Sequence, residues 1–151
     1  MAGEAFTLTL RQQDGYRFIA DFGEDGPAPL TVDEALPIGD GEGPNPVRLL
    51  AVAVAHCLSA SLLFCLKKRH IAIHDLRTTI EGRLERNARG RLRIGGLRVT
   101  LEPSVSSELW ESLGPCLDVF EDYCLVTGSV REGVDIEVSV EPVEAEVAAA
   151  L

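Results

Sequence analysis

Residues 45–70 read NPVRLLAVAVAHCLSASLLFCLKKRH, and from Leu49 to Leu66 no charged side chain interrupts them. Asn45 is a good N-cap and Pro46 suits a first helical turn, so a helix is predicted to open there. An α-helix with no polar face is either buried at the centre of a core or crosses a bilayer. The uncharged run is only about as long as the shortest membrane spans, and it carries His56, Ser59 and Ser61 among many alanines. Strand-like segments flank it on both sides, so a buried central helix is expected and not a membrane span. One sheet and one short second helix hardly cover such a helix on all sides. A second copy of the chain is the simplest remaining cover.

Upstream of this helix, Phe6, Leu8 and Leu10 alternate with Thr7, Thr9 and Arg11. Asp14-Gly15 then signals a hairpin, and Tyr16, Phe18, Ala20 and Phe22 line one face of the return strand. A short strand, Leu30-Thr31-Val32, interrupts the Gly/Pro-rich passage that ends at Gly43-Pro44-Asn45-Pro46. Downstream, Leu76, Thr78, Ile80 and Leu84 share a strand face opposite Arg77, Thr79, Glu81, Arg83 and Glu85. Asn87-Ala88-Arg89-Gly90 turns the chain, and the alternation changes phase at Gly95-Gly96, which predicts a bulge. Residues 106–124 predict a second helix, bent or broken at Gly114-Pro115. Val134, Ile136, Val138 and Val140 alternate with polar residues as a last strand, followed by a tail over 143–151 that is expected to fray or to cover a sheet edge. The order β-β-β-α-β-β-α-β has hairpins on either side of one apolar helix. It predicts an α+β fold in a single domain over 1–151.

With 151 residues and 46% hydrophobic composition, the chain is large enough to bury a core. Its formal charge of -10 argues against nucleic acid as a partner. The charge is unevenly spread: ten of the fourteen bases lie between Lys67 and Arg98. Such blocks read first as solvated faces. The N-terminus has neither the bases nor the apolar run of a signal peptide, so a cytoplasmic location with reduced thiols is expected.

Four cysteines stand at 57, 65, 116 and 124. Cys57 and Cys65 lie about 12 Å apart along one helix, too far for a disulfide. Cys116 and Cys124 meet the same limit if their helix is continuous, so any intrachain disulfide would join the two helices. The spacing of zinc knuckles is absent, and no metal is expected. By default each thiol is a small buried hydrophobe. Nucleophile-elbow, phosphate-loop and dinucleotide-binding motifs are also missing. His56 points about 100° away from Cys57 on the helix wheel and makes no hydrolase pair with it.

The stretch GPNPVRLLAVAVAHCLSASL, the later EDYCLVTGSV and the strand GVDIEVSVEP together resemble the osmotically inducible protein C / organic hydroperoxide resistance (OsmC/Ohr) family. The resemblance runs from Phe6 to Pro142, and the element order agrees with it. It implies an intertwined homodimer with two active sites at the subunit interface. It also implies thiol-dependent reduction of hydroperoxides, with Cys57 as the peroxidatic thiol and Cys124 as the resolving one. Cys57 would pass through a sulfenic acid to a disulfide with Cys124. An external dithiol, such as one of the lipoyl kind, would reopen that bond with no bound cofactor.

Family members hold an activating Arg with a Glu just after the Asn-Pro pair, where this chain has Val47. Arg11 and Arg17 are the candidates for the activating base. Leu125 stands where many members have Pro. Cys65 and Cys116 are additions to the two-cysteine pattern, read as packing or as a second redox pair if the helices bring them together. Phe64, Leu117, Phe120 and Tyr123 are expected in the core, where they could line a peroxide pocket. The alternative function is a member without peroxidase activity that serves as a small-molecule-binding or redox-sensing module.

Overall fold

The computed structural model describes residues 3–146. Strands β1 (Thr9–Asp14), β2 (Arg17–Asp21) and β3 (Leu30–Val32) form an antiparallel sheet in that order. Gly15, at a φ of 53°, makes the hairpin turn that Asp14-Gly15 predicts. After β3 the chain folds back, with the Asp33 carboxylate accepting from the N–H groups of Asp40 and Glu42 at 3.2 and 3.1 Å. That loop delivers the chain to Asn45, whose side chain accepts from the Arg48 N–H at 2.9 Å and caps α1 (Pro46–Lys68).

The hairpin of β4 (Asp75–Arg86) and β5 (Leu92–Ser104) forms a second sheet. Its register pairs Arg83 with Gly96 and Leu84 with Ile94, leaving Gly95 as the extra residue of the expected bulge. The half-buried face Leu76, Thr78 and Ile80 packs on α1, and Ser59 ties the two together through a 2.7 Å bond to the Thr78 hydroxyl. Val54, Leu58, Leu62 and Leu66, four residues apart, form the buried stripe of α1. They pack with Ile71, Cys116, Phe120 and Cys124 in one cluster.

The structure corrects the sequence reading at three places. The expected second helix breaks into a 3-10 segment (Ser107–Leu113), a one-turn α2 (Gly114–Leu117) and a 3-10 turn (Phe120–Tyr123). A separate helix, α3 (Leu125–Glu132), begins where that second helix was expected to have ended. The expected last strand has no ladder partner among the described residues. Val134, Ile136, Val138 and Val140 are 61%, 77%, 81% and 85% exposed. As expected, one copy of the chain does not cover α1 on every side: the faces bearing Val52 and Phe64 are open, and the N-terminal sheet makes only slight contact with the other elements. The helix is long and apolar enough to cross a membrane, but its leucine stripe is packed like that of a core helix. The expected tail beyond 146 lies outside the described residues.

Candidate active site

Cys57 projects from the third turn of α1, half-buried beside the core cluster. Cys124 is 2% exposed and is the N-cap residue of α3, its carbonyl accepting the helix's first bond from Gly128 at 3.0 Å. Its sulfur lies 3.0 Å from the Thr127 hydroxyl. Cys124 and Thr127 thus occupy the N-cap and N3 positions and meet through their side chains, with no side-chain capping bond to the helix backbone. The structure brings the Cys57 and Cys124 thiols face to face, both unbonded.

Burial and the partner thiol have the largest effects on the charge at this pair, and the N–H groups at the start of α3 add smaller ones. Burial raises the Cys57 pKa, the hydrogen bond and charge of Cys124 raise it further, and the N–H groups of Val126 and Leu125 oppose them. The net shift is upward. Burial also raises Cys124, but the Cys57 thiol, the Thr127 hydroxyl and the Thr127 and Val126 N–H groups act against it and bring it below its ordinary value. Of the two, Cys124 is therefore the thiol that gives up its proton more readily, and Cys57 the one that holds its proton.

This electrostatic device was missed in the sequence. Cys57 lies about three turns inside α1, and the dipole of its own helix fades within the first turn. The donors come from a different helix. The only signal for it was the Cys124-x-x-Thr127 spacing.

The other expected site residues are placed as follows. Arg11 is exposed on β1 and Arg17 lies 4.0 Å from Asp14 on the same hairpin; neither is among the groups that act on the Cys57 thiol. Phe120 is buried in the core cluster, whereas Phe64, Leu117 and Tyr123 are exposed and line no interior pocket. Cys65 and Cys116 are joined in a disulfide with their Cα atoms 5.7 Å apart. It links α1 to α2, as any intrachain bond was expected to link two helices, and corrects the expectation that every thiol is reduced. Among the described residues no three His, Cys, Asp or Glu side chains converge as a metal site.

An open cavity of about 370 Å³ lies between α1, β5 and α3, lined by neither thiol but reaching Thr127. Leu58, next to Cys57, and Val54 wall one side, Leu97, Val99 and Leu101 of β5 another. Thr127 joins the cavity to the Cys124 sulfur, and the ion pair of Arg131 and Glu121, at 3.0 Å, stands on its rim.

The α+β fold thus sets two free thiols, Cys57 and Cys124, between a long apolar helix and the start of a second helix. The family model described as OsmC-like protein matches residues 39–139, and the chain belongs to that family. No curated protein is matched by the sequence. Among solved structures, an OsmC-like protein from Mycoplasma pneumoniae superposes with a TM-score of 0.70 at 17% identity, covering 86% of this chain and 89% of that one. An organic hydroperoxide resistance protein OsmC from Legionella pneumophila gives 0.63 at 19% identity over 88% and 95% of the two chains. The organic hydroperoxide resistance protein OhrB of Bacillus subtilis gives 0.62 at 20% identity over 87% and 94%. At these identities the likeness concerns the fold.

Proposed function

We propose that the protein is a thiol peroxidase that reduces organic hydroperoxides through Cys57 and Cys124. The observation that carries this reading is the pairing of the two free thiols, Cys57 on α1 and Cys124 at the start of α3. Cys57 is the more accessible of the pair, so it is the sulfur that meets peroxide. In its thiolate form Cys124 takes the Cys57 proton as Cys57 attacks the hydroxyl-bearing oxygen of the peroxide, and passes that proton on to the leaving alkoxide. The O–O bond breaks, the leaving alkoxide gains a proton as alcohol, and Cys57 becomes a sulfenic acid. The Cys124 sulfur then attacks the Cys57 sulfur, the S–O bond breaks, and water leaves as the disulfide forms. A small dithiol of the lipoyl kind restores both thiols and becomes a cyclic disulfide.

The apolar cavity beside Leu58 suits the carbon body of an organic hydroperoxide better than hydrogen peroxide. In this reading the chain works in the cytoplasm as a homodimer. The unpaired apolar strand at 134–140 and the open faces of α1 support a second copy as the cover. That copy is also the source from which an N-terminal arginine, Arg11 or Arg17, could reach Cys57.

The test is steady-state consumption of cumene hydroperoxide and of hydrogen peroxide with dihydrolipoamide as reductant. Wild type turns over the organic peroxide faster, and Cys57→Ser and Cys124→Ser both fall to the free-thiol background. Wild-type turnover no higher than that background overturns the reading and leaves a redox-sensing or small-molecule-binding module in its place.

A further inference from the structure

The two cysteine pairs are related by position. Cys57 and Cys65 are separated by eight residues along α1, and Cys116 and Cys124 by eight along the segment that returns beside it. Cys65 is joined to Cys116, and Cys57 faces Cys124. The pairs are thus rungs at the two ends of one antiparallel stretch, about 12 Å apart by helical rise.

Between the rungs the returning segment has little structure of its own. It consists of the four-residue α2 and the four-residue 3-10 turn, with no side-chain cap on either. Such short pieces do not hold their shape without tertiary contacts. Phe120 against the leucine stripe of α1 and the Cys65–Cys116 bond are what hold the segment down. Its far end is Cys124, which also starts α3. A slip of the segment along α1 would move the resolving thiol and the N–H donors together.

We propose that the Cys65–Cys116 disulfide is a positioning device for the neighbouring thiol pair. Closed, it holds residues 116–124 in the register that sets Cys124 and the α3 N-terminus against Cys57. Opened, it frees that register and slows formation of the Cys57–Cys124 bond. Cys116 has no exposed surface, whereas Cys65 is half-buried, so a dithiol opens the bond by attack on the Cys65 sulfur. Cys116 leaves as a thiolate and takes up a proton. The second thiol of the reductant then displaces Cys65, closing the reductant into a cyclic disulfide and leaving two protein thiols. The device re-forms by exchange with a disulfide of the same class. The protein would accordingly resolve its sulfenic acid fast under oxidising conditions and slowly under strongly reducing ones.

The consequence for peroxide turnover rests on the peroxidase reading, but the geometric role can be tested apart from it. The double variant Cys65→Ala/Cys116→Ala and wild type receive one equivalent of cumene hydroperoxide. Dimedone trapping follows the Cys57 sulfenic acid, and quenched mass spectrometry follows the Cys57–Cys124 bond. The variant is expected to form sulfenic acid within about twofold of the wild-type rate and to close the disulfide about tenfold more slowly, the scale of effect expected from a misplaced reacting group. Closure at the wild-type rate overturns the proposal. If circular dichroism shows the variant unfolded, fully reduced wild type is compared with wild type keeping only the Cys65–Cys116 bond, under the same criterion. Failure of both proteins to react with peroxide removes the peroxidase reading alone. Diamide, which oxidises thiol pairs directly, then replaces the peroxide, and equal closure rates again overturn the positioning role.

Discussion

At one end of the stretch where α1 and residues 116–124 run side by side, Cys65 and Cys116 are joined, and Cys116 is sealed in the apolar cluster with Leu62 and Leu66. At the other end, Cys57 and Cys124 meet the N–H groups of Leu125, Val126 and Thr127. Both ends use the same residue type and link the same two parts of the chain. What separates them is the helix that begins after Cys124. Together with the Cys57 thiol and the Thr127 hydroxyl, the N–H groups at its start favour the thiolate of Cys124, the form of sulfur that redox chemistry needs. The contrast locates reactivity in the donors around sulfur and not in the number of thiols.

The strongest way to break this contrast is to separate attack from resolution. Cys124→Ser lacks both the base and the resolving thiol, so it is expected to react with peroxide more slowly than wild type and to retain the Cys57 sulfenic acid it does form, which dimedone traps, while Cys57→Ser gives no adduct at either end of the stretch. An adduct on Cys65 in either variant would erase the distinction between the pairs. The next effect falls on packing between them. Leu62, 1% exposed, lies between Cys57 and Cys65 on α1, and Leu62→Ala is expected to cost about 3 kcal/mol in denaturant unfolding. A cost under about 1 kcal/mol would mean that packing contributes little to holding the returning segment.

Thr127→Val acts on the open pair alone. Removing the hydroxyl withdraws a donor from the Cys124 thiolate and moves its pKa upward. Turnover at neutral pH should fall about tenfold, the worth of one hydrogen bond to a charged group. The sign with pH follows. Peroxide reactivity of wild type persists below the ordinary thiol range and fails as pH drops through the lowered Cys124 value, where the base takes up its proton. In Thr127→Val that failure sets in at higher pH, and an unmoved profile would remove Thr127 from the account. Asn45→Ala is the smallest test. It uncaps α1 at the end far from both pairs and should lower stability by about 1 kcal/mol without altering thiol reactivity.

Much of the fold was legible because its signals are local. Asn45-Pro46 opens α1, Asp14-Gly15 turns the first hairpin, and the phase change at Gly95 marks the bulge. The family, too, was readable from the residues around Cys57 and Cys124, whose positions the structure brings together. What escaped depends on partners distant in the sequence. Alternation at 134–140 reveals an apolar face but not which sheet receives it. Gly114-Pro115 announced a break, but not that the chain would restart as α3 at Leu125 and direct its N-terminus at two sulfurs. The pairing of Cys65 with Cys116 needed the return path of the chain along α1, which no spacing within either segment contains.

The most direct measurement is peptide-resolved mass spectrometry of the protein, with its Cys57 and Cys124 thiols free, after one equivalent of an organic hydroperoxide. The account predicts a new Cys57–Cys124 disulfide and an unchanged Cys65–Cys116 bond. Recovery of Cys57 and Cys124 as unmodified thiols would contradict it.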